Sequence, residues 1–314
     1  MQDLVFSLNA TVPVFLLMAL GLALHKLGQF SETFASAANT FVFRITLPVL
    51  LFKELATVDF SQAWNAKFVL FCFCVTLFSI GATFLLSLVW KDRSIRGEFV
   101  QASYRSSAAI LGIAFITNIY GNAGMAPMMI IGSVPLYNIM AVVVLSFLSP
   151  EQKGLDKALL LKTLKGIVTN PIILGIAAGL LWSALGLPMP TILEKTVTNL
   201  GNVSTPLGLM AMGATFDFRK AFHKLGPSAT AAAIKLVGFC ALFLPVAVWL
   251  GFRNEELVAI LVMLGSATTV SSYVMARSMG HEGVLSSSVV MLTTLFSAFT
   301  LTFWLWLLRH LGLI

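Results

Sequence analysis

Two stretches of this chain decide its fold: "LPVLLFKELATVDF", residues 47–60, and "TPLGLMAMGATFDF", residues 205–218. In each, a proline in second place is followed eleven residues later by Asp and twelve later by Phe, and the two stretches begin 158 residues apart. The same shift aligns Pro13 with Pro171, Leu16 with Leu174, Ala19 with Ala177, Gly21-Leu22 with Gly179-Leu180, and Gly28 with Gly186. It also aligns Leu51 with Leu209 and Thr57 with Thr215. One unbroken register through two prolines and several glycine and acidic positions marks an internal repeat.

The repeated unit is a membrane one. The 314 residues are 58% hydrophobic and 11% charged, with a mean hydropathy of +0.92. A water-soluble chain carries roughly 25% charged residues. Apolar runs of about 20 residues, enough to cross a hydrocarbon core of about 30 Å, recur throughout. Spans are expected near 10–28, 33–53, 67–90, 99–120, 125–148, 167–186, 192–214, 227–250, 256–279 and 284–308. Their continuity argues for ten helices and against alternating barrel strands. Residues 1–26 read as a membrane helix, with no basic start or cleavage site of a removable leader.

Twelve Lys and Arg residues fall in the turns after spans one, three, five, seven and nine, and five on the opposite side. By the positive-inside rule the odd-numbered turns face the cytoplasm and both termini lie outside. The +7 net charge is this topological signal and not a nucleic-acid footprint. Five spans separate equivalent points of the repeat. An odd number turns the second half upside down, the inverted architecture of secondary transporters.

A second match, shifted by 159, pairs Ser107-Ala108 with Ser266-Ala267 and Gly121 with Gly280. The text around it, "YRSSAAILGIAFITNIYG" and "GSATTVSSYVMARSMG", places a small, hydroxyl-rich block near the middle of spans four and nine. Gly and Ser lower the cost of unwinding and let backbones approach. Both helices are therefore expected to break and cross there. Ser106, Ser107, Gly112, Ala267, Thr268, Thr269, Ser271 and Ser272 become candidate substrate-binding positions.

Together with "TNPIILGIAAGLL" and "VPLYNIMAVVVL", these motifs resemble the auxin efflux carrier family over nearly the whole chain. That family includes plant PIN exporters and bacterial carriers associated with malate and malonate. The resemblance implies ten helices in two inverted repeats. Residues 1–60 and 151–222 would form a scaffold (helices one, two, six and seven) that pairs into a homodimer. Residues 61–150 and 223–314 would form the moving transport part, in a bacterial inner membrane. It also makes Asn138, in "PLYNIM", a candidate site residue.

Three departures stand out. Where relatives carry Arg-Pro-Asn and a later proline in helix four, this chain has Arg105, Ser106, Ser107 and Ala114. Where they carry a proline in helix nine, it has Ala267. Helix three, residues 67–90, has no carboxylate.

All thirteen acidic residues fall in connections or at span ends, while three bases lie within spans. Lys235 sits about 13 Å deep and Arg44 about 17 Å deep at 1.5 Å per residue. A base at the centre of a membrane helix costs about 2.5–3.5 kcal/mol, so Lys235 is expected to serve the site, the other reading being a purely structural contact with backbone carbonyls. Arg44, four residues before Pro48, is open to three readings: the site, the dimer seam, or helix seven near Asn202. Arg105 is shallower, and its stem allows the head to snorkel to the cytoplasmic side. It stays a possible site residue, with Asn118 and Asn202.

Deep cations without interior anions predict a small organic anion as substrate, a dicarboxylate such as malate or malonate, moved by alternating access. Export of an auxin-like aromatic monocarboxylate is the alternative. A channel fits the inverted repeat less well. An intramembrane enzyme would need a buried nucleophile–base pair or ligand cluster, yet His25, His223, His281 and His310 lie at span ends or in loops. No ATP-binding loop is present, and the sequence calls for no cofactor, metal or catalytic residue. A co-transported proton or sodium ion is a possible partner, beside the lipid bilayer.

Overall fold

The computed structural model describes residues 2–57, 65–108, 116–117, 119–121, 124–149 and 157–314, and among them every regular element is helical. In chain order these are α1 (Gln2–Lys26), α2 (Glu32–Ala56), α3 (Ala66–Ser87), α4 (Arg96–Tyr104), α5 (Ala126–Phe147), α6 (Lys157–Val168) and α7 (Pro171–Ala184). Then come α8 (Thr191–Asn202), α9 (Ser204–Ala214), α10 (Phe218–His223), α11 (Leu225–Trp249), α12 (Asn254–Gly265), α13 (Ser271–Ser278) and α14 (Val284–His310). Five of them, α2, α3, α5, α11 and α14, are each long and apolar enough to cross a membrane. Of the other expected spans, the first is the continuous α1, the sixth is the shorter α7, and the seventh and ninth are each divided in two. Asp59, Phe60, Gly112, Ala114 and Asn118 lie outside the described residues.

The prolines of the repeated stretch act locally. Pro48 has no N–H to give, so the carbonyl four residues back is left over. α2 absorbs this with a wider turn over Val42–Thr46, in which the Leu47 N–H donates to the Val42 carbonyl five residues earlier. Near Pro206 the chain divides instead, with α8 ending at Asn202 and α9 beginning at Ser204. The Asp of the second stretch is an N-cap: Asp217 accepts from the Lys220 N–H at 3.0 Å and starts α10. Asn170 does the same for α7, accepting from Ile172 N–H at 2.9 Å.

Glycine brings two helix pairs into backbone contact. A Cβ on Gly179 of α7 would stand 2.7 Å from the Phe52 carbonyl oxygen of α2, and one on Gly21 of α1 would overlap the Met210 carbonyl of α9. Gly21 and Gly179 are 158 positions apart, as are Phe52 and Met210. The two halves thus use the same contact at corresponding positions. A side chain at either glycine must force the helices apart, a strain of about 1–3 kcal/mol or more. Gly21→Leu and Gly179→Leu are expected to lower the unfolding midpoint in detergent clearly. Gly81→Leu, on an exposed position of α3 with open space around it, should leave the midpoint near that of the parent protein.

Candidate functional site

The helices expected as the fourth and ninth spans are both interrupted, without proline, at residues 105–107 and 266–270. α4 stops at Tyr104, and Arg105–Ser107 are non-helical, with Arg105 extended at φ −72°, ψ 139°. α12 stops at Gly265, Ser266 is extended at φ −73°, ψ 160°, and α13 begins at Ser271. The two breaks meet: the Ser107 N–H donates to the Ala267 carbonyl at 3.0 Å. Thr268 Oγ1 donates to the Ala102 carbonyl at 2.8 Å, and the Thr268 N–H donates to Thr293 Oγ1 of α14 at 3.0 Å.

A broken helix inside a membrane leaves carbonyls that must find donors. Here side chains supply them. The Met263 carbonyl at the end of α12 accepts from Ser106 Oγ, from Tyr137 OH at 3.2 Å and from Lys235 Nζ at 3.3 Å. The Leu264 carbonyl accepts from Lys235 Nζ, which also donates to Ser106 Oγ. Lys235 is fully buried, 0% exposed, in a second wide helical turn over Ile234–Gly238. It places a cation at the negative end of α12, where the helix dipole favours one. Lys235 is not among the residues lining the central cavity; its ammonium is held by Ser106 Oγ and the carbonyls of the break.

The cation at the cavity is Arg105. It does not snorkel; it is 1% exposed, because α4 ends one residue earlier and the extended backbone turns the side chain inward. Its guanidinium donates to Asn138 Oδ1 at 2.7 Å, Ser271 Oγ at 2.6 Å and Gln101 Oε1 at 3.2 Å, with Met275 Sδ at 2.9 Å. Nε has no hydrogen-bond partner among the described residues. No described carboxylate pairs with Arg105 or Lys235.

Arg105 lines a cavity of about 60 Å³ together with Ser106, Ser107, Asn138, Thr269 and Ser271. The facing wall comes from α2, through Leu47, Leu50, Leu51 and Glu54, and from α9, through Ser204 and Thr205. The first turn of α13 opens onto this space through Thr269, Val270 and Ser271, so its dipole adds partial positive charge there. A polar-lined space with a buried cation, donor hydroxyls and a helix N-terminus can hold a carboxylate.

A wider cleft of about 520 Å³ lies next to it, walled by His25, Glu32, Asp217, Lys220, Arg277 and Glu282 among others. Tyr273 lines this cleft while its neighbour Val274 lines the central cavity. Between them Tyr273 OH meets Thr215 Oγ1 at 2.6 Å, and Asn39 Nδ2 donates to the Val274 carbonyl at 3.3 Å and to Ser278 Oγ at 2.9 Å. On the rim the Lys224 ammonium, 2.6 Å from Glu282 Oε2, holds that carboxyl below the usual carboxylate range.

The chain matches the family described as "Membrane transport protein" over residues 6–305. It belongs to that family. Among the relatives is an "Uncharacterized transporter" of Methanothermobacter thermautotrophicus, 22% identical over 307 residues, covering 95% of this chain and 97% of the relative. Another is a "Putative malonate transporter" of Rhizobium meliloti, 25% identical over 319 residues, covering 95% of this chain and 94% of the relative. The auxin efflux carrier resemblance read from the sequence motifs is thereby shown, and the chain is an integral membrane transport protein.

Within this family member, the expected site residues divide. Ser106, Ser107, Asn138, Thr269 and Ser271 line the cavity with Arg105. Ala267, Thr268 and Ser272 join the breaks from behind: Ala267 and Thr268 through the bonds above, Ser272 through its carbonyl, which accepts from Gln101 Nε2 at 2.7 Å. Arg44 and Asn202 are exposed and line no part of the cavity. Arg44 borders an outer groove with Glu32 and Arg277. Glu54, Tyr137 and Gln101 were not among the expected site residues. For Glu54 a signal existed: Leu47, Leu50, Leu51 and Glu54 follow the spacing of a single helix face.

Proposed function

We propose that this transporter is a secondary carrier for a small organic anion, a compact dicarboxylate of the malonate or malate type, working by alternating access. The observation that carries this reading is the buried Arg105 guanidinium, lined up with hydroxyl and amide groups on a cavity and without an anionic partner among the described residues. A buried cation without a counterion is costly, and a bound carboxylate supplies the counterion. Arg offers planar, two-point recognition of such a group. The relative named for malonate points the same way.

Alternating access draws support from the two walls. One is built by α2 and α9, which belong to the glycine-packed pairs α1–α9 and α2–α7; the other by α5 and the broken spans. The recurrence of the glycine contact at positions 158 apart supports an inverted repeat. Sliding of one wall past the other would part the Thr215–Tyr273 contact and join the cavity to the neighbouring cleft.

The test is exchange in proteoliposomes with labelled malonate, malate, succinate, lactate and indole-3-acetate. Saturable exchange of the diacids is expected, with indole-3-acetate at background. Preference for the aromatic acid would replace the dicarboxylate reading with auxin-like export.

A further inference from the structure

We propose that Glu54 carries the coupling proton of this carrier: an anion occupies the Arg105 cavity only while the Glu54 carboxyl is neutral, so that one proton travels with each substrate. This inference rests on the carrier reading above and concerns the same cavity.

Three observations lead to it. Glu54 is the one carboxylate among the residues lining that cavity. It is half-buried there and accepts no hydrogen bond from any described residue. It also stands on the α2 wall, opposite the wall that holds Arg105.

An ionised Glu54 would face an incoming carboxylate across a small space, and like charges in a poorly screened cavity repel strongly. A neutral Glu54 does the reverse. Its O–H becomes a donor and can serve the second carboxylate of a diacid whose first carboxylate is held by Arg105. Charge balance then follows directly. The proton binds Glu54 on the side from which substrate enters, crosses with the anion, and leaves on the other side when the anion departs.

The groups around Glu54 allow it to act alone in this role. Across the cavity stand Arg105 and Tyr137. On its own helix Lys53 precedes it. α7, packed against this part of α2, has no charged residue, and α8 offers Glu194 and Lys195, both exposed at its start. Arg105 stays charged over the working range, and a tyrosine titrates near pH 10 in the unperturbed state. A pH response of transport near neutrality therefore falls to the carboxyl.

The experiment uses the full chain in liposomes and labelled malonate, with two readouts: malonate–malonate exchange as a function of pH, and accumulation driven by a pH gradient. Wild-type exchange is expected to fall as pH rises through the titration of the Glu54 carboxyl, by about tenfold for each unit above its midpoint, and an acid exterior is expected to drive accumulation. Glu54→Gln, a permanent mimic of the neutral acid, should exchange faster than wild type at the alkaline end, with a flat profile, and lose gradient-driven accumulation. Glu54→Asp should keep the gradient response with a displaced pH midpoint.

Accumulation by Glu54→Gln, or a wild-type pH slope in that variant, would overturn the proposal. So would a Glu54→Asp midpoint identical to wild type, an outcome that decides even if Glu54→Gln does not fold. Wild-type protein that exchanges malonate with no pH dependence refutes the proton carrier alone. Wild-type protein that exchanges none of the labelled acids refutes the anion reading, and the proton carrier with it.

Discussion

Arg105→Gln is expected to abolish malonate exchange and to remove the rise in unfolding temperature that malonate is expected to give the wild-type protein. The guanidinium is 1% exposed and its hydrogen-bond partners are all neutral: Asn138, Ser271, Gln101 and Met275. A charge-assisted hydrogen bond to a bound carboxylate contributes about 1.5–3 kcal/mol, so losing a two-point contact weakens binding by about a hundredfold or more. The apo protein should behave in the opposite sense. Gln keeps a donor for Asn138 and Ser271 while removing a buried charge that has no counterion among the described residues, so the apo variant is expected to keep or raise its unfolding midpoint. Thermal unfolding with and without malonate checks both halves. Arg105→Lys should rescue little, because an ammonium cannot reproduce the planar fork. Undiminished malonate binding by Arg105→Gln would show that the anion sits elsewhere.

Lys235→Met is expected to act first on stability. Its ammonium serves the Met263 and Leu264 carbonyls and Ser106 Oγ. Met263 retains Tyr137 and Ser106 as donors, while Leu264 is left without its Lys235 bond. A buried acceptor left unsatisfied costs about 1–3 kcal/mol, so a loss of that size follows, seen as a fall of roughly 3–9 °C in the unfolding midpoint. The methionine side chain fills similar space, which separates loss of the donor from loss of volume. An unchanged midpoint combined with lost malonate binding would return Lys235 to the substrate.

The two predictions assign opposite roles to two buried bases, and the reason lies in the carbonyls of the breaks. Lys235 looked deep and Arg105 shallow because depth was counted along ideal helices. Both helices depart from that ideal. α4 ends just before Arg105, and the extended backbone swings its side chain into the centre. α11 carries a wide turn at Lys235, and that side chain reaches the end of α12. Depth along a helix is a one-dimensional quantity; direction depends on where regular hydrogen bonding stops.

Much of the fold was nevertheless legible in one dimension. Composition and long apolar runs report a hydrocarbon environment directly, since transfer energy adds residue by residue. The shift of 158 located helix pairs that the glycine contacts then join, and the hydroxyl-rich blocks located both breaks, because backbone freed from a helix inside a membrane needs small residues and donors close at hand. Ser106, Ser107, Asn138, Thr269 and Ser271 were identified on that basis and meet at one cavity. In the sequence Glu54 reads as a span-end charge, although the Leu47–Leu50–Leu51–Glu54 spacing puts it on the face that lines that cavity.

The sequence by itself thus determined the membrane class, the repeat, the break points and the family. Only the tertiary structure decided that Lys235 closes the carbonyl end of a broken helix, that Arg105 faces the cavity, that Arg44 and Asn202 are exposed, and that Glu54 lines the same cavity as Arg105. These depend on partners more than a hundred residues away: Arg105 with Ser271, Lys235 with Ser106. A buried charge is directed by whichever distant group satisfies it, and local sequence carries no record of that partner.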